Sequence, residues 1–435
     1  MKEIFYDQSV VTILEQIRRN VFPYPVADPF EEEERQSFPH YFDEAVPVYP
    51  VEAEMVELID LGKEKTGNSI LFEAFLDGVQ RTVILPYRVN LPNGASVPLH
   101  VAQIIAGVIL RDKNSKKLFV DRDLIASRLL LLGPFKGIGE TGGPEIHLPE
   151  GTIEDHDDRT FTVPRDKIEW LVCDTTFRGT ERDSERDRNE ALMGDSLFNE
   201  HLIRERAQGR VTILRQRLEL AVLLEFRAKY GDKWILVDGS LFLIDKWRSR
   251  MSKIFGTRFG TNSETQFEEK LLEKAVGIIR THRLRSEKLQ KVLHMKYYQR
   301  SSVFRLFEEV DIKGRKWTLE EKGKYSEPHF TWYTKFRTPW PTSQGFSGLT
   351  RIDVHRITLG FEHDEEINPH MFKKSKNIVD EITRSVLAEQ FPALDRRIGY
   401  YNTPQVYPVH ELERMLRSTT FPVRIMRNLL DTILR

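Results

Sequence analysis

The sequence predicts an α/β protein, a mixed sheet flanked by helices with an N-terminal extension and insertions. Three observations carry that expectation. Apolar runs with strand character occupy 69–85 and 97–110. A helical stretch at 214–226 is apolar almost all round, so it belongs in a core. It leads into the β-branched segment WILVDGSLF at 234–242, and a helix followed by a buried strand is the α/β pattern.

Composition bounds the rest. With 435 residues, 40% hydrophobic and 30% charged, the chain can build one large core with insertions, and nothing in it is low-complexity. A net charge of -1 argues against blanket basicity, so contact with nucleic acid would need a local patch. The single cysteine, Cys173, can form neither an internal disulfide nor a thiolate zinc cluster. A reducing, cytoplasmic location is therefore the expectation. The most apolar segments, 101–110 and 124–133, fall short of the ~18 residues that a membrane span needs, and no signal peptide or membrane helix is expected.

Taken in order, residues 1–66 read as a separate extension, a candidate segment for docking a partner. Val10, Ile13, Leu14 and Ile17 recur at helical spacing, and an acidic, Pro-rich stretch follows, with Glu31 to Glu34 as a solvated loop or a contact for a basic partner. Residues 67–435 form the main domain. Its first two strands meet at Asp77-Gly78, and a charged insertion with few short elements is expected at about 111–200. A long helix, or a helix pair broken near Gly209, spans 197–230. Strands are expected at 275–279, 331–337 and 351–358. A helix with Ile378, Val379, Ile382, Val386 and Leu387 on one face covers 376–390, and a last helix starts near His410.

Hydrolysis of a phosphodiester with divalent ions needs several oxygen ligands converging from different elements. Asp77 and Asp238 each close an apolar run, AFLDG and ILVDG, and the glycine lets the chain turn away. Glu219 lies on the apolar helix, nineteen residues before Asp238. Each has a plainer reading. Asp-Gly is the commonest hairpin turn signal, Glu219 can pair with Arg215 one helical turn earlier, and Glu225 competes on the same helix. The order is the informative part: an Asp on an early strand, a Glu on a helix, an Asp ending the next strand. It resembles the RNase H-like fold.

The residues FLDGVQR at 75–81, RQRLELAV at 215–222 and VDGSLF at 237–242 resemble the motifs of the NurA nuclease family. AVGIIRTHRL at 275–284, RIDV at 351–354 and a Tyr/Pro loop before His410 extend the likeness over roughly 70–110 and 210–435. Two departures stand out: Asp-Gly-Val replaces Asp-Gly-Ser in the first motif, and Tyr407-Pro408 abuts Val409-His410. The resemblance implies an RNase H-like deoxyribonuclease, exo- or endonucleolytic, serving DNA end processing or defence. It implies Asp77, Glu219, Asp238 and His410 as catalytic metal ligands, assisted by Tyr400, Tyr401 or Tyr407. It further implies a homodimer beside a hexameric HerA-type translocase. An imidazole among carboxylates suits Mn²⁺ better than Mg²⁺, although either ion would serve. His410 could equally be a histidine bonded to backbone near a helix start.

Residues 280–305 hold eight Lys or Arg and one acid, interleaved with aromatics, so Arg283, Arg285, Lys296, Tyr297 and Arg300 are expected to bind DNA. TWYTKFRTPW at 331–340 is a second such stretch. GIGETG at 137–142 fits the dinucleotide pattern only in its letters, and no P-loop motif occurs, so a translocase would be a separate chain. The rival expectation is a non-catalytic DNA-binding scaffold of the same fold; a guide-dependent nuclease is more remote.

Overall fold

In the computed structural model the described residues are 8–18, 21–23, 48–62, 72–91, 94–140, 146–164, 169–176, 200–241, 247–280, 287–306, 329–337, 348–362, 369–394 and 402–428. Helix α1 is Gln8–Ile17. Three short strands follow, β1 Val21–Pro23, β2 Val48–Pro50 and β3 Leu58–Asp60, and then three long ones, β4 Ala74–Asn90, β5 Ser96–Arg111 and β6 Leu118–Gly133. After them come α2 Phe135–Glu140, β7 Ile153–Glu154, β8 Glu169–Asp174, α3 Glu200–Tyr230 and β9 Ile235–Asp238. The chain continues with α4 Arg248–Phe259, α5 Glu264–Leu272, β10 Ala275–Ile279, β11 Gln299–Ser301, β12 Phe304–Leu306, β13 His329–Lys335 and β14 Leu349–His355. Helix α6 Lys376–Ala388, a hairpin of β15 Gln390–Leu394 and β16 Asn402–Val406, and α7 Tyr407–Thr419 bring it near its end.

One mixed sheet runs in the order β2-β12-β13-β14-β10-β9-β4-β5-β6-β8-β7. At its centre β4, β5 and β6 form an antiparallel meander. Strand β9 lies parallel to β4, and β10 parallel to β9. Strand β5 is buried from Val97 to Leu110, as its almost unbroken apolar run requires of a strand covered on both faces.

Two cores sandwich this centre. Even-numbered residues of β4 and β5, such as Leu76, Ala106 and Val108, join Val211, Leu214 and Leu218 of α3 in one. Odd-numbered residues, Phe75, Val79, Ile105 and Ile109, join Val379 and Ile382 of α6 and Val409, Leu412 and Leu416 of α7 in the other. The period-2 alternation of a strand thus assigns α3 to one side and α7 to the opposite side.

Several expectations change. Asp77-Gly78 is not a hairpin turn: it lies inside a single 17-residue strand paired throughout its first half with β5. The charged insertion contains a full 16-residue strand, β6, whose exposed first half carries the charges that disguised it. Gly209 does not break α3, which is continuous over 31 residues. The described part of the N-terminal extension is built into the sheet. Val10, Ile13, Leu14 and Ile17 of α1 pack beside Val83, Leu85 and Tyr87, while β1, β2 and β3 pair with β4, β12 and β11. Glu31 to Glu34 lie outside the described residues. Among the described residues no helix is long and apolar enough to cross a membrane.

Candidate active site

The register of β4 and β9 decides where the carboxylates go. Their parallel pairing runs Ala74 with Ile235, Phe75 with Leu236 and Leu76 with Val237, and there the ladder ends. Asp77 and Asp238 are each the next residue, so they stand side by side at the mouth of the gap between two strands spaced about 4.8 Å apart. Asp77 is buried, whereas the Asp238 carboxylate keeps some access to solvent.

After Asp238 the chain turns sharply. Gly239 has φ +150°, and its N–H donates to Ile278 O at 2.9 Å. The turn then folds over β10 at Gly277, where a Cβ would lie 2.7 Å from Gly239 O and 3.0 Å from Leu241 Cγ. Both glycines are therefore sterically required. Ser240 donates to Asp353 Oδ2 at 3.1 Å, and Asp353, wholly buried on β14, also accepts from Thr331 at 3.0 Å and Arg351 at 2.9 Å. This network anchors the turn that carries Asp238.

Glu219 approaches from the α3 side, beneath Gly78. A Cβ on Gly78 would overlap Glu219 Oε1 and lie 2.9 Å from its Cγ and Cδ. Arg215 pairs with Glu219, as the plainer reading expected, and also donates to Gly78 O and Gln80 Oε1, each at 3.1 Å. Arg215 therefore ties the glutamate to the strand bearing Asp77. The competitor Glu225 is instead held by Arg258, at 2.6 and 2.7 Å.

Helix α7 approaches from the opposite side. Gly107 is the register partner of Asp77, and Leu416 Cδ2 lies 3.2 Å from where its Cβ would be. Glu413, one turn before Leu416, acts electrostatically on both Asp77 and Arg280, and its own carboxylate accepts from Arg417 at 2.9 Å. His410 is half-buried one turn before Glu413, on the same side of α7 by its i, i+3 spacing.

Electrostatics tie the group together. Burial first, then the charges of Asp238, Glu413 and Glu219, push the Asp77 carboxyl well above its ordinary value, with Arg215 opposing. Arg280 pairs with Asp238. Burial would lower its guanidinium, but Asp238, Asp77 and Glu413 hold it above its ordinary value. Asp238, Glu413 and Glu219 thus all act on Asp77, while Arg215, Arg280 and Arg417 pair with Glu219, Asp238 and Glu413 in turn. Among the described residues, no three His, Cys, Asp or Glu side chains stand close enough to hold a metal ion as placed. The donor chemistry fits a divalent cation nonetheless: oxygen donors suit Mg²⁺ and Mn²⁺, and a buried carboxyl under like-charge pressure needs a proton or a cation to balance it.

Three of the participants escaped the sequence reading. Glu413 had a usable signal in its spacing from His410, and Arg280 lies two residues past Ile278, the register partner of Asp238. Asp353 lay within the RIDV motif, which gave it no separate role. No protein-family model and no curated protein matches this chain.

The expected DNA-binding residues divide. Arg283 and Arg285 lie outside the described residues, as do Tyr400 and Tyr401. Lys296 and Tyr297 are exposed. Arg300 is a correction: it is fully buried, clamped by Glu52 at 2.6 and 2.8 Å and by Asp380 at 2.6 Å, because its strand position points inward and two carboxylates meet it there. Tyr407, the remaining tyrosine, is exposed at the start of α7. Gly137 and Gly139 of GIGETG lie within the short helix Phe135–Glu140 rather than in a loop ahead of it, and Gly142 lies outside the described residues.

Proposed function

We propose that this chain is a metal-dependent deoxyribonuclease with an RNase H-like core, of the kind the NurA resemblance implies. The observation that carries the reading is the meeting of Asp77 and Asp238 one rung past the end of the β4–β9 ladder, with Glu219 approaching from one side of the sheet and Glu413 from the other. The strand sequence β6-β5-β4-β9-β10, an antiparallel meander continued by two parallel strands, supports the RNase H-like assignment.

Asp77, Glu219, Asp238 and Glu413 would hold the ions, with His410 as the nitrogen donor. A divalent ion bound there supplies a water of lowered pKa and neutralises charge on the leaving oxygen. Arg215 and Arg280 are the cations positioned to hold the scissile phosphate, and the Ser240–Asp353 network fixes Asp238 for its role. Buried Leu412 and Leu416 shield the inner side of the site from bulk water, which strengthens each charge interaction.

The test is cleavage of linear and single-stranded DNA with Mn²⁺ and with Mg²⁺, comparing wild type with Asp77→Ala and Asp238→Ala. Loss of cleavage in both variants is expected, and unchanged cleavage in both sinks the assignment. One observation favours the second reading, a non-catalytic DNA-binding scaffold: guanidiniums already pair with Glu219 and Asp238. Calorimetric titration with Mn²⁺ separates the two, since a scaffold gives no binding that Asp238→Ala abolishes. The homodimer, the HerA-type translocase and the cytoplasmic location belong to the same proposal, and the lack of a P-loop motif is consistent with ATP hydrolysis on another chain.

A further inference from the structure

Lys296 and Tyr297 lie at the same end of the sheet as the carboxylates, and the register shows it. Asp238 is level with Ile278 on β10, Ile352 on β14 and Trp332 on β13. Beyond Trp332, β13 continues past Asp238 to Thr334, which pairs with Arg300 of β11. Tyr297 lies in the turn that leads into β11 at this end, and β13 runs on to Arg337 beside it. The Arg337 guanidinium is indeed close enough to act on the Tyr297 hydroxyl. Four strand spacings separate β9 from β11, a lateral offset of about 19 Å.

The turn that presents these side chains is firmly built. Gln299 N donates to Lys296 O at 3.1 Å, and Lys296 N donates to Gln299 Oε1 at 2.9 Å. Tyr298 takes a left-handed conformation, φ +66°, its ring partly buried against the core and in edge contact with Tyr297 at 4.4 Å between centroids. A tyrosine held in that region costs free energy, which the surrounding contacts must offset. The result is that Tyr297 is held outward, 38% exposed, on a fixed support. Arg337 is likewise fixed through its backbone, whose N–H donates to Gln390 Oε1 at 2.9 Å while its O accepts from Gln390 Nε2 at 2.5 Å, and its side chain is exposed.

We infer that Tyr297, flanked by Lys296 and Arg337, is a stacking platform for an unpaired nucleotide of a DNA strand whose scissile phosphate sits at Asp77 and Asp238. The inference rests on the nuclease reading and adds a substrate requirement: the strand is single where it leaves the site. Every base has a π-face to lay on an aromatic ring, and the two cations neutralise the phosphates on either side.

The experiment uses the full chain in EDTA with fluorescein-labelled 12-nucleotide oligothymidine, read by anisotropy. Tyr297→Ala is expected to weaken binding about ten-fold and Tyr297→Phe by less than about two-fold, with thermal midpoints unchanged. Arg337→Ala should weaken binding and reduce the slope of log Kd against log salt by about 0.7. Equal affinity of Tyr297→Ala and wild type, or no binding by wild type, overturns the platform while leaving the Mn²⁺ cleavage test intact. Weakened binding by Tyr297→Ala in a chain that cleaves nothing supports the platform and removes the nuclease. Tighter binding of oligouridine than of oligothymidine overturns the assignment to DNA.

Discussion

Gly78 and Glu219 occupy what would otherwise be the same space: the Cβ that Gly78 lacks would overlap the glutamate carboxylate. The glycine is what allows a residue of α3 to reach the strand that carries Asp77. Its backbone φ is not in the left-handed region, so the requirement is one of close approach rather than of conformation.

Gly78→Ala is therefore expected to fold, because the clash falls mainly on the far end of a flexible side chain. The glutamate must swing away, breaking its pairing with Arg215. We expect at least a ten-fold loss of cleavage, with stability lowered by about 1 kcal/mol or less. Chemical denaturation beside a cleavage assay checks both, and full activity would show that the position of Glu219 is immaterial.

Asp77 sets function against stability. It is buried among Asp238, Glu413 and Glu219, all of which disfavour its charge. Asp77→Asn should raise stability at neutral pH by about 1 kcal/mol in metal-free protein while abolishing cleavage. A calorimetric scan decides the first half: a fall in midpoint would mean that the carboxylate cluster is not under repulsion.

Helix α7 contributes two candidate ligands, Glu413 and His410, and they are separable. Glu413→Gln removes a charge felt by both Asp77 and Arg280, and should weaken Mn²⁺ affinity by about ten-fold or more. His410→Ala should act more on the choice between Mn²⁺ and Mg²⁺, since imidazole is the softer donor. Titration calorimetry with each ion reads the difference. A Glu413→Gln protein that binds Mn²⁺ as wild type does would remove Glu413 from the set.

Arg300 is expected to behave as a structural residue. Removing Glu52 leaves its buried guanidinium with Asp380 as its remaining carboxylate, at a cost of about 3 kcal/mol. Because Glu52 belongs to the N-terminal segment, the same change loosens that segment from β11 and α6. Urea denaturation of Glu52→Ala is the measurement, and a shift below about 1 kcal/mol would contradict the clamp.

Local pattern was enough to locate many elements. Strand β5 was legible because a strand buried on both faces reads as an unbroken apolar run, and α6 because its apolar side repeats at helical spacing. Strand β6 was hidden, since its first half faces solvent and carries Asp121, Arg122 and Asp123, which look like loop composition. Arg300 misled for the opposite reason: a charge in a basic, aromatic stretch suggested a surface, and only distant Glu52 and Asp380 make its burial tolerable.

By itself the sequence determined an α/β chain, the helix-to-strand junction before Asp238, and Asp77, Glu219 and Asp238 as the candidate carboxylates. It left each aspartate open to being an ordinary turn. The tertiary structure decided the rest: that Asp77 lies inside a strand level with Asp238, that Glu219 and Glu413 approach from opposite sides, and that Arg215 and Arg280 stand among them. The physical reason is that which side chains share a gap depends on strand register and on which helix covers which face. Both follow from pairings across long stretches of chain, which no local spacing encodes.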